Sequence, residues 1–324
     1  MLDEYGIIKL ITGRFGKLPK GFLPIGDDVA LIPPGRKGER LVLKSDLLVA
    51  KTDVPPGMTW KMAARKAVAM CVSDFAAKGV RPRAFMVSVG FPEGTPDWKV
   101  GHLASGLFEA SREWNVKLVG GDTSEASDLI INCAMAGFAK QIVERSGASP
   151  GEYVVTSGTF GQTSAGLRIL MNGAKAGARF REVATSSVLH PRPRLRLGLA
   201  VSKYLTSSTD SSDGLAISLH TIAEMSAVGI RLSEVPVARG LEVFAARNSL
   251  SAEELALYGG EEYEIVGTVK KSRLAEARNK ARAAGGDLRV IGETVPAKKL
   301  KGVVLASRGV VRKDGWIHFK VGRG

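Results

Sequence analysis

Apolar and polar positions along the chain switch between two rhythms. Short runs dense in Val, Ile and Leu at residues 40–46, 84–89, 116–119 and 129–139 read as strands, and the first of them ends on Asp46. Between them, residues 57–78 and 96–114 carry apolar positions at helical spacing. The first of these helices begins after Pro55-Pro56 and stops at Gly79, the residue type that most readily ends a helix. The strand at 116–119 is read as closed by the turn Gly120-Gly121-Asp122. Residues 145–152 are dense in turn formers and serve as a linker. The same alternation then resumes. A strand at 153–157 leads through a Gly158–Gly166 loop into a helix, and His190-Pro191-Arg192-Pro193-Arg194 starts another. Thr209 to Gly214 leads into a helix ending near Gly229, and strands follow at 263–269, 288–291 and 303–306. Strands alternating with helices predict an α/β (α+β) chain.

The chain has 324 residues, which favours two domains or one large α/β unit over a single small one. No apolar run reaches the ~18 residues of a membrane span. The first ten residues have no charged-then-apolar leader pattern, so the expectation is a cytoplasmic protein without membrane contact. Cys71 and Cys133 both lie in apolar stretches and are read as buried thiols. A net charge of +14 points to an anionic partner, whether nucleic acid, membrane surface or phosphorylated small molecule. Aromatic residues make up only 6% of the chain, too few for base-stacking platforms, which disfavours nucleic acid.

Several familiar sites are missing from the sequence. Gly13-Arg-Phe-Gly16-Lys17-Leu18 has the wrong spacing for a phosphate-binding P-loop, no G-x-S-x-G elbow occurs, and the four histidines never pair at metal spacing. The aspartates are distributed differently. Eight of thirteen, at positions 27, 28, 46, 53, 74, 122, 210 and 213, fall in short motifs, several at strand ends or glycine turns. Asp74 interrupts an otherwise apolar helix, where a lone carboxylate is costly unless a cation or hydrogen bonds compensate it. Short carboxylates at strand ends suit magnesium, which takes hard oxygen ligands and keeps several waters. Each motif alone also suits a turn or a helix cap. Their number in a basic chain favours a magnesium–phosphate site.

The motifs Gly26-Asp-Asp-Val-Ala30, Ser45-Asp46, Val72-Ser-Asp74-Phe-Ala-Ala-Lys-Gly79 and Gly120-Gly-Asp-Thr123 together resemble the thiamine-monophosphate kinase family. The resemblance continues in order through Arg145-Ser-Gly, His190-Pro-Arg-Pro-Arg194, Asp210-Ser-Ser-Asp-Gly-Leu215, Gly259-Gly-Glu-Glu-Tyr-Glu264 and Gly315-Trp-Ile-His-Phe319. It implies two α/β domains of the aminoimidazole ribonucleotide synthetase-like type, with N-terminal sheets pairing across a homodimer. Residues 1–146 would bind ATP and Mg2+ and dimerise, and residues 147–324 would complete the nucleotide and substrate site. By the same resemblance, Asp27, Ser45, Asp46, Asp74, Asp122, Asp210 and Asp213 are magnesium ligands, and Gly121, Asp122, Arg145 and Ser212 meet ATP. Asp46, Asp122 and Arg145 carry the transfer, and Glu261 and Trp316 contact thiamine monophosphate. Asp53 stands at the substrate-facing position where the family usually has histidine. Glu262 replaces the usual aspartate of the G-G-E-D-Y-E motif, and Ser105 replaces a tyrosine near the adenine.

The implied reaction moves the γ-phosphoryl of ATP onto the acceptor's phosphate. That phosphate has a second pKa of about 6, so it is largely ionised at neutral pH and needs no general base. The alternatives are an ATP-using enzyme of the same superfamily with another acceptor, such as a purine-pathway synthetase, or a non-catalytic nucleic-acid binder.

Overall fold

The computed structural model describes residues 4–12, 18, 20–23, 25–33, 38–300, 302–305, 307 and 309–317. The end of the Gly315–Phe319 motif and of the strand expected at 303–306 lies outside them. The strands are β1 (Ala30–Ile32), β2 (Arg40–Val49), β3 (Pro82–Phe91), β4 (Lys117–Glu125), β5 (Ile130–Ala139) and β6 (Tyr153–Thr156). They continue as β7 (Leu205–Asp210), β8 (Val228–Leu232), β9 (Ile265–Val269), β10 (Arg289–Pro296), β11 (Val303–Leu305) and β12 (Gly309–Val310). They form two sheets, ordered β1-β2-β5-β3-β4 and β12-β11-β8-β10-β6-β9-β7. Pairing is antiparallel except for β3 with β4 and β8 with β11. The α/β expectation therefore holds, with one sheet from each half of the sequence.

The helix Trp60–Lys78 is the spine between the halves. The Thr59 side chain accepts the Met62 N–H at 3.3 Å to start it, and Gly79 ends it in the left-handed conformation at φ 67°. Its small residues are buried almost throughout, so it packs on β2 and β5 of the first sheet and on β7 and β9 of the second. The helix Leu195–Val201 also lies against it. A Cβ on Gly198 would come within 2.0 Å of the Ala76 carbonyl oxygen, so only glycine allows that approach. Charged and polar side chains on this spine therefore face a cleft to which both halves contribute.

Two sequence expectations are corrected here. Gly120-Gly121-Asp122 does not end a strand but lies inside β4, because Gly121 permits close pairing: a Cβ there would meet the Val87 carbonyl at 2.0 Å. The helix expected to run to near Gly229 ends at Met225, because Val228–Leu232 pairs as β8, and before that helix Leu205–Asp210, with the sequence LTSSTD, is a buried strand. Two of its hydroxyls pair across the sheet, with Ser207 and Thr268 hydroxyls 2.7 Å apart and Thr206 and Thr268 hydroxyls 2.6 Å apart.

Candidate active site

The cleft between the halves holds a buried network of carboxylates and cations. One carboxylate oxygen from each of Asp28, Asp74 and Asp210 lies within 4.8 Å of the others, and all three residues are buried. Asp74 projects from the spine helix, Asp210 ends β7, and Asp28 precedes β1. The Ser73 hydroxyl donates to Asp210 at 2.8 Å, and the Thr209 hydroxyl donates to Asp28 at 2.9 Å. Lys44 bridges Asp46 at 3.1 Å and Asp74 at 3.0 Å. Lys78, fully buried, bridges Asp27 and Asp28 at 2.7 Å each and donates to the Ser208 carbonyl at 2.6 Å. Arg145 donates its backbone N–H to Asp27 at 2.9 Å, its Nε to Asp28 at 2.6 Å and its Nη1 to the Gly26 carbonyl at 2.6 Å.

These contacts set the protonation of the acids. Burial pushes Asp28 upward, but Lys78 and Arg145 beside it outweigh that and hold its carboxyl below the usual range. For Asp74 burial dominates, and although Lys44 opposes it, the nearby Asp210 and Asp46 help push the carboxyl well up. Asp210 is pushed up to about 6 by burial and by the charge of Asp28. Lys44 is held charged by Asp74, Asp46 and Asp210 against its own burial. Among the described residues of this network, five carboxyl groups (27, 28, 46, 74 and 210) face three cations (Lys44, Lys78 and Arg145). With all five carboxyls ionised the deficit is two positive charges, and the donors are hard oxygens. Both facts fit a divalent cation such as magnesium.

Not every expected ligand joins this network. Successive residues of a strand point to opposite faces, so Lys44 and Asp46 face the spine helix while Ser45 faces the other side of the first sheet. There Asn132 donates to the Ser45 hydroxyl at 3.0 Å. Asp122 is on that same outer face, in register with Ser88, which is in register with Asn132. Asp122 is exposed, and its carboxylate accepts its neighbour's N–H at 2.9 Å. A cavity of about 610 Å³ is lined by Asp27, Asp28, Lys44, Ser45, Met86 and Val119 among others. Gly121 lies on β4 two residues beyond Val119.

The remaining expected residues form a second wall. Three chain segments are joined there by backbone hydrogen bonds. Glu261 N–H donates to Ser212 O at 2.6 Å, Tyr263 N–H to Ser211 O at 3.0 Å, and Trp316 N–H to Asp213 O at 2.9 Å. Ser212, Asp213, Glu261 and Trp316 are thereby neighbours, although more than a hundred residues separate the first from the last. Gly260 makes room, since a Cβ there would approach the Trp316 Cβ at 3.3 Å. Asp53 differs from its expectation. Its carboxylate accepts the Val49 N–H at 2.7 Å and the Thr52 hydroxyl at 3.1 Å, so it ties down its own short helix, Ala50–Asp53. Glu262 turns inward, accepting the Gly161 N–H at 2.6 Å and the Thr163 N–H at 3.1 Å at the start of the helix Gln162–Asn172.

Sequence reasoning missed the three lysines. Lys44, Lys66 and Lys78 read as surface residues in isolation, yet the last two sit with Asp74 on a helix whose other residues are mainly Ala, Val and Met. Charges at such positions in a small, apolar helix were the available signal. Asp28 was passed over for its neighbour Asp27, although both carboxylates point inward.

The chain matches the AIR synthase related protein N-terminal domain over residues 26–139 and the corresponding C-terminal domain over residues 149–305. It is 35% identical over 322 residues to the thiamine-monophosphate kinase of Nitrosopumilus maritimus, covering 98% of this chain and 99% of that one. It is 35% identical over 254 residues to that of Pyrococcus abyssi, covering 78% of this chain and 79% of the relative. A solved structure described as AaThiL complexed with AMPPCP and TMP superposes with a TM-score of 0.86 at 28% identity, covering 98% of this chain and 97% of that one. With this extent of likeness in sequence and fold, the chain belongs to the thiamine-monophosphate kinase family, a family of kinases built from two AIR synthase related domains.

Proposed function

We propose that this protein transfers the γ-phosphoryl group of ATP to the phosphate of thiamine monophosphate, giving thiamine diphosphate and ADP. An acceptor phosphate oxygen forms the new bond to the γ-phosphorus, and the bond from that phosphorus to the β,γ-bridging oxygen breaks, leaving ADP. The observation that carries the reading is the buried meeting of Asp28, Asp74 and Asp210 from both halves, in a network two positive charges short of balance when its carboxyls are ionised. Buried charged networks rarely stabilise a fold better than apolar packing would. A cleft built this way is better suited to holding cations and polyphosphate than to stability. The relative solved with AMPPCP and TMP supports the choice of both substrates.

The ionised acceptor makes a general base unnecessary, so the work of the site is alignment and charge neutralisation. Asp27, Asp46, Asp74 and Asp210, with Asp122, Asp213 and Ser45, are the residues that would hold magnesium, with Asp28 added by its place in the trio. When bound, magnesium supplies charge neutralisation at the phosphate oxygens. Arg145 brings a fixed positive charge to the mouth of the cleft, where its Asp28 and Gly26 contacts restrain it. Gly121 and Asp122 follow Val119 along β4, and the apolar lining of the cavity that Val119 borders suits a nucleotide base. Ser212 adds a hydroxyl from the opposite wall. Glu261 and Trp316 form the acceptor wall, and Asp53 shapes it through its backbone rather than its carboxylate.

Residues 1–146 are assigned to ATP and magnesium binding and to dimerisation, and residues 147–324 to completing the nucleotide and substrate site. The outer face of the first sheet, with Leu47, Met86 and Phe138 half exposed, supports a homodimer formed through that face. Among the described residues no helix is long and apolar enough to cross a membrane, in keeping with a cytoplasmic enzyme. ADP release coupled to a reporter, with and without thiamine monophosphate and magnesium, tests the reading. Release that requires both, with thiamine diphosphate as product, is expected. Equal release without the acceptor, and no diphosphate, would overturn it.

A further inference from the structure

Lys66 belongs to neither the metal network nor the expected acceptor contacts, yet it is among the most buried charged groups of the chain. Its side chain is 1% exposed. The Nζ donates to the Asp53 carbonyl at 2.8 Å and is hydrogen-bonded to the Glu261 carboxylate, whose side chain is 25% exposed. The three groups come from three segments: the spine helix, the end of the short helix Ala50–Asp53, and the loop before β9. A single ammonium from the first half therefore fixes both sides of the acceptor wall. The Glu261 backbone is held independently. It adopts φ 64°, a left-handed conformation that non-glycine residues seldom take, and its N–H is bonded to Ser212 O at 2.6 Å. The backbone contact fixes where Glu261 sits, and Lys66 fixes where its carboxylate points. The same ammonium also offsets that carboxylate's charge, which would otherwise face an anionic acceptor unscreened.

We propose that Lys66 is a positioning residue for the acceptor. It aims the Glu261 carboxylate and locks the 50–53 segment against the second half, so that a phosphorylated cationic heteroaromatic meets a preformed wall. This rests on the reading that Glu261 and Trp316 face the acceptor. The cavity assigned to the nucleotide base is lined by neither Lys66 nor Glu261, so the effect of Lys66 falls mainly on the acceptor.

Steady-state kinetics on the full-length protein test this with Lys66→Met, Lys66→Gln, Glu261→Gln and the double variant Lys66→Met/Glu261→Gln, using thiamine monophosphate and ATP as the varied substrates. Hydrogen bonds to charged groups are among the stronger kind, so Lys66→Met should raise KM for thiamine monophosphate by about tenfold or more. KM for ATP should stay within about twofold. Adding Lys66→Met to Glu261→Gln should cost much less than it costs in the wild type, because the carboxylate it aims is gone. Lys66→Gln, which keeps a donor for the Asp53 carbonyl, should fall between wild type and Lys66→Met, and it serves as the reporter if Lys66→Met does not fold. If Glu261→Gln raises acceptor KM but neither Lys66 variant does, the positioning role is wrong while the acceptor assignment stands. Parallel rises in both KM values, or full additivity in the double variant, would make Lys66 a packing residue and overturn the proposal. If Glu261→Gln itself leaves acceptor KM unchanged, the acceptor wall is misassigned and the proposal falls with it.

Discussion

In the first sheet burial alternates along β3 and β5, so that Phe85, Val87 and Val89 are buried while Met86 and Ser88 are exposed. In the second sheet β9 is buried at every residue, and β6 and β7 at nearly every one. The first sheet is covered by helices on one side only; strands β6, β7 and β9 of the second are buried on both. An open face of Leu47, Met86, Phe138 and small residues is unusual for a monomer, whereas strands buried on both faces need no partner. The contrast divides the labour. The first half supplies most of the acids, the lysines that bind them and an open apolar face. The second half supplies a rigid wall on which Ser212, Asp213, Glu261 and Trp316 are fixed by backbone bonds.

The largest expected effect bears on whether the open face takes part in chemistry. Asp46→Asn alters the buried network, and Asp122→Asn alters the outer face of the same sheet. Each should lower kcat on the order of a thousandfold without loss of fold, because a ligand for the magnesium that would neutralise the transferring phosphate is lost rather than packing. Circular dichroism with single-turnover assays separates the two. Normal activity in Asp122→Asn beside an inactive Asp46→Asn would confine catalysis to the cleft and leave the outer face purely structural.

Next in size is the dimer. Met86→Asp combined with Phe138→Asp places two charges on the open face and should raise the dimer dissociation constant by roughly a hundredfold. Sedimentation at micromolar concentration reads it directly. A wild type that sediments as a monomer with full activity would remove the explanation of the open face altogether. A smaller effect is expected on the enclosed half. Trp316→Ala removes a flat ring beside Glu261, and a ring cation over tryptophan is worth about 0.5–2 kcal/mol, so acceptor KM should rise a few-fold to thirtyfold. A large fall in Tm with unchanged acceptor KM would instead make Trp316 part of the packing.

How much of this was legible in the sequence follows the same division. The end of the spine helix was readable at Gly79, where local chemistry fixes it, whereas the sequence pattern places its start at residue 57, ahead of the Thr59 cap. The alternating strand β5 was readable because one face is wet. β7 and β8 were not. The hydroxyls of Thr206, Ser207 and Thr209 in β7 find side-chain partners far off in sequence, on β9, Glu152 and Asp28, and Val228–Leu232 follows its helix after only two residues, so it merged with the helix pattern. The aspartate motifs marked the cleft, but their sorting between two faces depends on strand register, and Ser45 beside Asp46 shows that adjacent residues can serve different sides. Lys44, Lys66 and Lys78 stayed hidden because burial of a lysine is a property of tertiary packing, not of its neighbours in sequence.

The last prediction concerns the cost of enclosure. Glu262 is half-buried in the second half, and desolvation of its carboxyl, opposed by the N–H groups of Gly161 and Thr163 and reinforced by Glu264, pushes it up to about 8. In the unfolded chain it titrates near the ordinary 4.5. Between those two values the folded protein holds a proton that the unfolded chain has released, so raising the pH favours unfolding. Glu262 therefore lowers stability progressively as pH rises from about 4.5 toward 8, and no further above that. The amide of a Glu262→Gln variant would keep an acceptor for the Gly161 and Thr163 N–H groups and a donor toward the Thr163 hydroxyl, and it cannot ionise. The variant and the wild type should melt together at pH 5, and the variant should melt higher by roughly 2–4 °C or more at pH 8. Thermal scans at both pH values read the difference. A gap that is the same at both would mean that Glu262 is ionised throughout and that its helix-start N–H groups alone neutralise it, which would make the second half more tolerant of buried charge than its enclosure implies.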